Sequence, residues 1–401
     1  MKQQQNWVII GSELSPYTLK LASMCHYVGL DFRMLPATGS TIENIRYLIR
    51  KEGLVRGLLP LSWPKKSSLD EYPLVPFLFG PNGENLFDSS SIGEWLDTQA
   101  PLPPIRPKLI PSHNAAQKFL THLIDEFADE FVLYLVHHNR WAQSAKDNNA
   151  GDRLATELKS LLGPLQPFYS RWFSRRQVKR MPYLFSVAKA DFFIPDLSNE
   201  RQPPSRLGFP ATHDLLNDCY LELLGQLDTI FEQRATLISS EFTLADASIY
   251  GQFAMNLTDP STRSTIQTKA PSLFAWLEQR RQHRVPKTTP TQSANDEGDM
   301  THLKPLLKTI CESYVPIMHQ NLKAWKTYNA RGETIFNEKA FWKNKSLFEG
   351  MIRGEKYRSV VKTFQVKSWL ALRSQWNALP STTKSELNAY LPLNHGLDKD
   401  Y

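Results

Sequence analysis

The apolar run Trp7-Val8-Ile9-Ile10 stops at Gly11 and passes within five residues through Ser15-Pro16 into a helical pattern, so a buried strand must be followed at once by a helix. Proline at the first helical position suits Ser15 as N-cap. Tyr17, Leu21, Met24 and Val28 then share one face before Gly29 ends the helix. A second strand is expected over residues 32–35, and LVPFLFGPNGENLFD reads as two short strands joined by the turn Pro81-Asn82-Gly83. SSSIGEWLDTQ opens a further helix behind capping serines. Residues 6–100 thus read as βαβ, a hairpin and a final helix.

Beyond the proline-rich PLPPIRP at 101–107 the pattern becomes helical, with Phe119, Leu123, Phe127, Phe131 and Leu135 near the helical period and no further convincing strand. Residues 196–212 read as a polar loop, and VPKTTPTQSANDEGD has the composition of a linker. The expected organisation is an α+β unit over 1–100, an all-helical unit over 108–284, a linker at 285–300 and a helical extension over 301–395. A chain of 401 residues with 41% apolar content can support that many cores.

Three distant cysteines with no CxxC pair argue against disulfides and metal, which favours a reducing, cytoplasmic location. No uncharged stretch reaches the roughly 20 residues that span a bilayer, and none resembles a cleavable leader. The net charge of +7 sits at one end: 16 Lys plus Arg face 8 Asp plus Glu from residue 301 onward, leaving 31 against 32 before it. In GEKYRSVVKTFQVKSWLALRSQW the bases alternate with aromatic residues, which reads as a helix with an apolar face and solvated lysines. No nucleic-acid motif accompanies them, and no nucleic-acid partner is expected.

Three stretches in order resemble the glutathione transferase superfamily. They are GSELSPYTLK after the first strand, Val75-Pro76 opening a strand followed by FDSS at 87–90, and EFTLADASIY at 241–250. The resemblance covers residues 6–283 and implies a thioredoxin-like βαββα domain followed by an all-helical one. It further implies that Ser15 stabilises the thiolate of glutathione as co-substrate. Val75 and a cis Pro76 would pair with the peptide, Asp88 would take the γ-glutamyl ammonium and Ser89 its carboxylate. Lys65 and Lys66 are candidates for the glycyl carboxylate, in a stretch between the second strand and Val75 that is longer than the family pattern. Tyr17, His138 and Trp141 are candidates for the site of a hydrophobic electrophile. The partners so implied are glutathione, that electrophile and a second copy in a homodimer; the role implied is detoxification.

Each residue also has a plainer reading. Ser15 and Asp88-Ser89 are ordinary helix caps, and Ser12 carries another hydroxyl near Ser15. His137 and His138 are packing residues, and Thr243 with Asp246 is a reciprocal cap with no catalytic role. The staple contact of Phe242 with Ala247 should be weak. Asp125, Asp129 and Glu130 read as a solvated helix face, and so does RWFSRRQVKR at 171–180. The alternative function is a non-catalytic binding or scaffold protein whose extension engages a protein partner. Cysteine is absent at position 15, which disfavours a mixed disulfide and reductase chemistry there.

Overall fold

The computed structural model describes residues 7–71, 75–100, 108–283 and 298–399. The chain begins with β1 (Trp7–Ile10), α1 (Pro16–Val28), β2 (Phe32–Leu35), α2 (Thr41–Val55), β3 (Phe77–Phe79), β4 (Asn85–Phe87) and α3 (Ser89–Thr98). The sheet order is β2-β1-β3-β4, with β1 parallel to β2 and antiparallel to β3. This is the thioredoxin-like arrangement. β1 is apolar throughout because both faces are covered: Trp7 and Ile9 pack with α1, α3 and the helical body, whereas Val8 and Ile10 pack with Leu35, Leu54, Phe77 and Phe79.

Helix α2 fills the long stretch before Val75. Ser40 caps it through the Glu43 amide, and Ile42, Ile45 and Ile49 recur at helical spacing. These three isoleucines are exposed, so the helix leans on the sheet through Leu54 and has an unusually apolar outer face.

The helical part contains α4 (Ala115–Phe127) and α5 (Leu133–His138), with π-helical turns at Ala128–Val132 and Asn139–Gln143. It continues with α6 (Ala150–Glu157), α7 (Lys159–Leu162), α8 (Gln166–Arg180), α9 (His213–Gln233), α10 (Leu244–Asn256), α11 (Pro260–Lys269) and α12 (Pro271–Arg281). Helix α10 is buried along its whole length and crosses α1 closely. A Cβ at Gly251 would lie 2.3 Å from the Pro16 carbonyl oxygen, so only glycine permits that approach. The reciprocal cap at Thr243 and Asp246 is formed. Phe242 packs at a tilt against Tyr27 of α1, with ring centroids 5.1 Å apart.

The segment after residue 298 holds α13 (Lys304–Ala330), α14 (Asn337–Trp342), β5 (Leu347–Ile352), β6 (Glu355–Val360), α15 (Thr363–Ala378) and α16 (Ser381–Asn388). It is therefore not wholly helical: β5 and β6 form a hairpin closed by Arg353-Gly354, both at positive φ, as a two-residue hairpin turn requires. The extension shares one core with the helices before it. Phe119 packs on Trp376 at 5.2 Å, Phe127 meets Tyr314 at 6.3 Å, and Tyr314 meets Trp369 at 5.8 Å. The expected linker lies almost wholly outside the described residues.

Candidate functional site

The strand register brings three separate parts of the chain to one end of the sheet. Ile10 lies opposite Phe77, and Phe77 opposite Phe87, so the next row contains Gly11, Pro76 and Asp88. From Gly11 the chain turns through Ser15 into α1, and from Asp88 it turns into α3. Two helix N-termini thus begin beside the same row, and the Val75–Pro76 bond between them is cis.

Ser15 is the N-cap of α1, half-buried, with its Oγ accepting from the Thr18 amide at 3.4 Å. That contact uses a lone pair and leaves the hydroxyl proton for another acceptor. Ser12 is committed elsewhere: its Oγ accepts from the Leu14 amide at 3.1 Å and faces the Glu157 carboxylate. Arg140, buried at the second π-helical turn, holds the Leu14 carbonyl at 3.2 Å, the Met255 carbonyl at 2.6 Å and Asp259 at 2.8 Å. It ties the loop in front of Ser15 to α10 and α11.

Asp88 has φ 70°, a conformation that costs a non-glycine residue energy, and it accepts from the Ser90 and Ser91 amides at 3.1 and 3.3 Å. Burial pushes its carboxyl up, while Lys20 and Lys367 oppose the rise. Ser89, the first residue of α3, is buried. Lys65 and Lys66 are exposed, and the Lys66 ammonium donates to the Leu54 carbonyl at 3.3 Å.

Beneath this corner lies a cluster that the sequence pattern conceals. Asp125, Asp129 and Glu130 are buried, not solvated, and Lys20 of α1 reaches Asp125 at 2.5 Å, Asp129 at 2.6 Å and the Ser90 hydroxyl at 2.7 Å. Ser248 of α10 also donates to Asp125. Burial alone would lower the Lys20 pKa, but the two carboxylates outweigh it and hold the ammonium charged. Asp129 and Glu130 lie in the π-helical turn at Ala128–Val132, every residue of which is buried. Lysine on a helix is ordinarily given to solvent, so only its place on the Tyr17-Leu21-Met24 side hinted otherwise.

Tyr17 donates to the Asp129 carbonyl at 2.8 Å, and burial followed by the Asp129 charge raises its pKa well above the usual value. It stays a protonated phenol beside the candidate site. His138 is fully buried, with Nδ1 2.9 Å from the Ser186 hydroxyl and its ring against His213; burial keeps it neutral. Trp141 packs among Leu14, Ala142 and Met181. Both lie in packed core, and Tyr17 alone of the three touches the Lys20 cluster. Helix α8 does present Arg171, Trp172, Arg175, Arg176 and Lys179 to solvent.

A third group joins the site to the extension. Lys362 is buried, with Nζ 2.5 Å from the Tyr134 hydroxyl and lying over the Tyr134 and Tyr183 rings. Burial lowers its pKa to about 8. Burial likewise pushes Glu130 up to about 7, against a hydrogen bond from Gln365. The reading of the extension's lysines as solvated fails for Lys362, which lies in the turn between β6 and the packed helix α15, while Lys356 on β6 stays exposed. Among the described residues, no cluster of three His, Cys, Asp or Glu is placed to hold a metal, and no helix is long and apolar enough to cross a membrane.

No family model matches the chain, and no curated protein matches it. Matching solved structures include glutathione transferase GSTFuA3 from Phanerochaete chrysosporium, at 12% identity and TM-score 0.43, covering 71% of this chain and 100% of that one. Another is CsGST63524 of Ceriporiopsis subvermispora, solved in complex with glutathione, at 15% identity and TM-score 0.42 over 70% and 99%. A third is Gtt2 from Saccharomyces cerevisiae, at 11% identity and TM-score 0.35 over 69% and 96%. The first two are glutathione transferases by name, the superfamily that the GSELSPYTLK, VPFLF, FDSS and EFTLADASIY stretches resemble.

Proposed function

We propose that the chain is a cytoplasmic glutathione transferase in which Ser15 stabilises the glutathione thiolate for attack on a hydrophobic electrophile. The observation that carries this reading is the row Gly11, Pro76 and Asp88 at the sheet end, flanked by the N-termini of α1 and α3. Free glutathione thiol, with a pKa near ~8.5, is mostly protonated at neutral pH. A hydroxyl hydrogen bond to the sulfur contributes roughly 1.5 to 3 kcal/mol and the helix end about 0.3 to 1, together enough to lower that pKa by about 1 to 3 units. The backbone of Val75 pairs with the cysteinyl peptide, Asp88 takes the γ-glutamyl ammonium, and Ser89 with the α3 amides takes its carboxylate. Tyr17, held neutral, stands beside the sulfur as the polar edge of the electrophile site. Bond formation then joins the sulfur to the electrophilic carbon, and the leaving group departs with its electron pair. The domain limits expected above go with this reading, as does a homodimer, which light scattering on the purified protein would test.

The decisive experiment titrates the full chain with glutathione and follows thiolate absorbance against pH. Binding with a bound-thiol pKa lowered by about 1 to 3 units is expected. Binding without that shift would replace the enzyme by a ligand-binding protein, and the absence of binding would end the reading altogether.

A further inference from the structure

The extension reaches the candidate site through the first turns of α15. Lys362 and Gln365 both contact the Tyr134 hydroxyl, at 2.5 and 2.7 Å, and Ser368 bonds the Glu126 carboxyl. They therefore run along the stretch of α4 and its π-helical turn that also supplies Asp125 and Asp129 to Lys20. Lys20 in turn donates to Ser90, the residue whose amide donates to the Asp88 carboxylate. Lys367, between Gln365 and Ser368, pairs with Asp70 at 2.5 Å. Asp70 belongs to the segment after α2 that wraps the start of α3, where the Trp63 indole donates to the Ser91 carbonyl at 2.7 Å. Two ammonium groups thus converge on the beginning of α3, and both act on the Asp88 carboxyl.

They differ in what remains to be bonded. An ammonium has three donors. Lys20 spends all three, on Asp125, Asp129 and Ser90. Lys367 has Asp70 as its one hydrogen-bond acceptor among the described residues, and its side chain is 28% exposed. It has donors left and open solvent through which a ligand can arrive.

We propose that Lys367 is a specificity-determining residue of the candidate site, binding the α-carboxylate at the γ-glutamyl end of glutathione, and that the extension is therefore one wall of that site. This rests on the glutathione reading above, in which Ser89 and the α3 amides take the same carboxylate, and adds to them an ammonium from the extension. The bound carboxylate shares or displaces Asp70 on the ammonium, and no covalent step is involved.

The test uses the full chain and two probes: glutathione, and the analogue in which 4-aminobutyrate replaces the γ-glutamyl residue and so lacks the α-carboxylate. Calorimetry on the wild type is expected to show glutathione binding more than about 10- to 100-fold tighter than the analogue, that range being the share of one charged hydrogen bond beside those of Ser89 and the α3 amides. Lys367→Gln should weaken glutathione by that factor and leave the analogue unchanged, while Lys367→Arg keeps the preference. Asp70→Asn should tighten glutathione, since it frees the ammonium; a purely structural pair would instead make Asp70→Asn weaken both ligands. A preference unchanged in Lys367→Gln overturns the assignment while leaving the glutathione reading intact. A wild type that binds neither probe overturns both.

Discussion

Lys20 and Lys362 are both buried, yet one sits where α1 meets α4 and the other where the extension meets the same helical stretch, and their surroundings are opposite. Lys20 has two carboxylates within 2.6 Å and stays charged. Among the described residues no carboxylate comes within ion-pair distance of Lys362; it has a phenol and two aromatic rings, and its pKa falls to about 8. At the first seam the Lys20 ammonium keeps its charge over the working pH range, while burial raises the Asp129 carboxyl beside it to about 7. The second is fastened by apolar packing and by groups whose charge changes near neutrality. Similar depth of burial thus yields a lysine held charged or a titratable joint, according to whether an acid is within reach.

Removing the extension would break the comparison most severely. Met300, Leu303, Leu306, Leu307, Ile310, Tyr314 and Trp369 are all fully buried. Each large side chain contributes about 1.5 to 3 kcal/mol on burial, so together they are comparable to or larger than a typical net stability of about 5 to 15 kcal/mol. A chain ending near residue 298 is expected to aggregate or lose its cooperative melt. A truncated chain that melts like the full one would mean the extension is an independent module.

Lys20→Met should come next, costing about 3 to 5 kcal/mol because it strands Asp125 and Asp129 as buried, unpaired acids. Chemical denaturation would measure the loss, and the companion Asp129→Asn should recover part of it.

The titratable joint predicts a pH dependence with a definite sign. The Glu130 carboxyl is raised in the folded state to about 7, so folded protein holds its proton where the unfolded chain has lost it. Its contribution is full below the unfolded pKa of about 4.3 and is lost as pH rises through 7, an effect on the order of 3 kcal/mol. Lys362 is depressed from 10.5 to about 8, so the unfolded chain holds more protons between those values and stability recovers as pH rises through that window. Asp129, raised by burial to about 7, acts with the same sign, so melting temperature should pass through a minimum near pH 7 to 8 whose acidic side Glu130→Gln makes shallower and Glu130→Gln with Asp129→Asn flattens. An acidic side unchanged in the double variant would place the effect elsewhere.

Ser15 separates capping from chemistry. Ser15→Ala should cost about 1 kcal/mol and raise the pKa of bound glutathione towards its free value; Ser15→Asp should retain much of the cap yet repel the thiolate. Equal melting of the two variants would show that the cap contributes little. Similarly small, Lys362→Met should change stability by under about 1.5 kcal/mol, since a buried amine without an acid loses little when an apolar chain of similar volume replaces it. A loss comparable to that of Lys20→Met would erase the distinction between the seams.

Local patterns were legible wherever a residue's role depends on its neighbours in sequence. The Ser15 and Asp88 caps, Gly29 at the helix end, the Asn82-Gly83 turn and the Thr243–Asp246 pair all follow from contacts within a few residues. Helix α2 had its own signal in Ser40, Glu43 and the spaced isoleucines, but its apolar side faces outward and the proline-rich stretch after it obscured the period. The β5–β6 hairpin was marked by Arg353-Gly354 between alternating residues, and was hidden by basic and aromatic side chains that also suit an amphipathic helix.

By itself the sequence determined the strand-to-helix junction at Ser15, the acid–serine corner at Asp88 and the sites of capping, because hydrogen bonds over three or four residues are set by local backbone geometry. Only the tertiary structure decided that Lys20 meets acids 105 and 109 positions away, that Arg140 holds the turn before Ser15, and that Lys362 and Lys367 of the extension end beside the same helix start. A lone lysine or aspartate reads as solvated in any single sequence, since its cost of burial is offset only by a partner that folding brings from elsewhere in the chain.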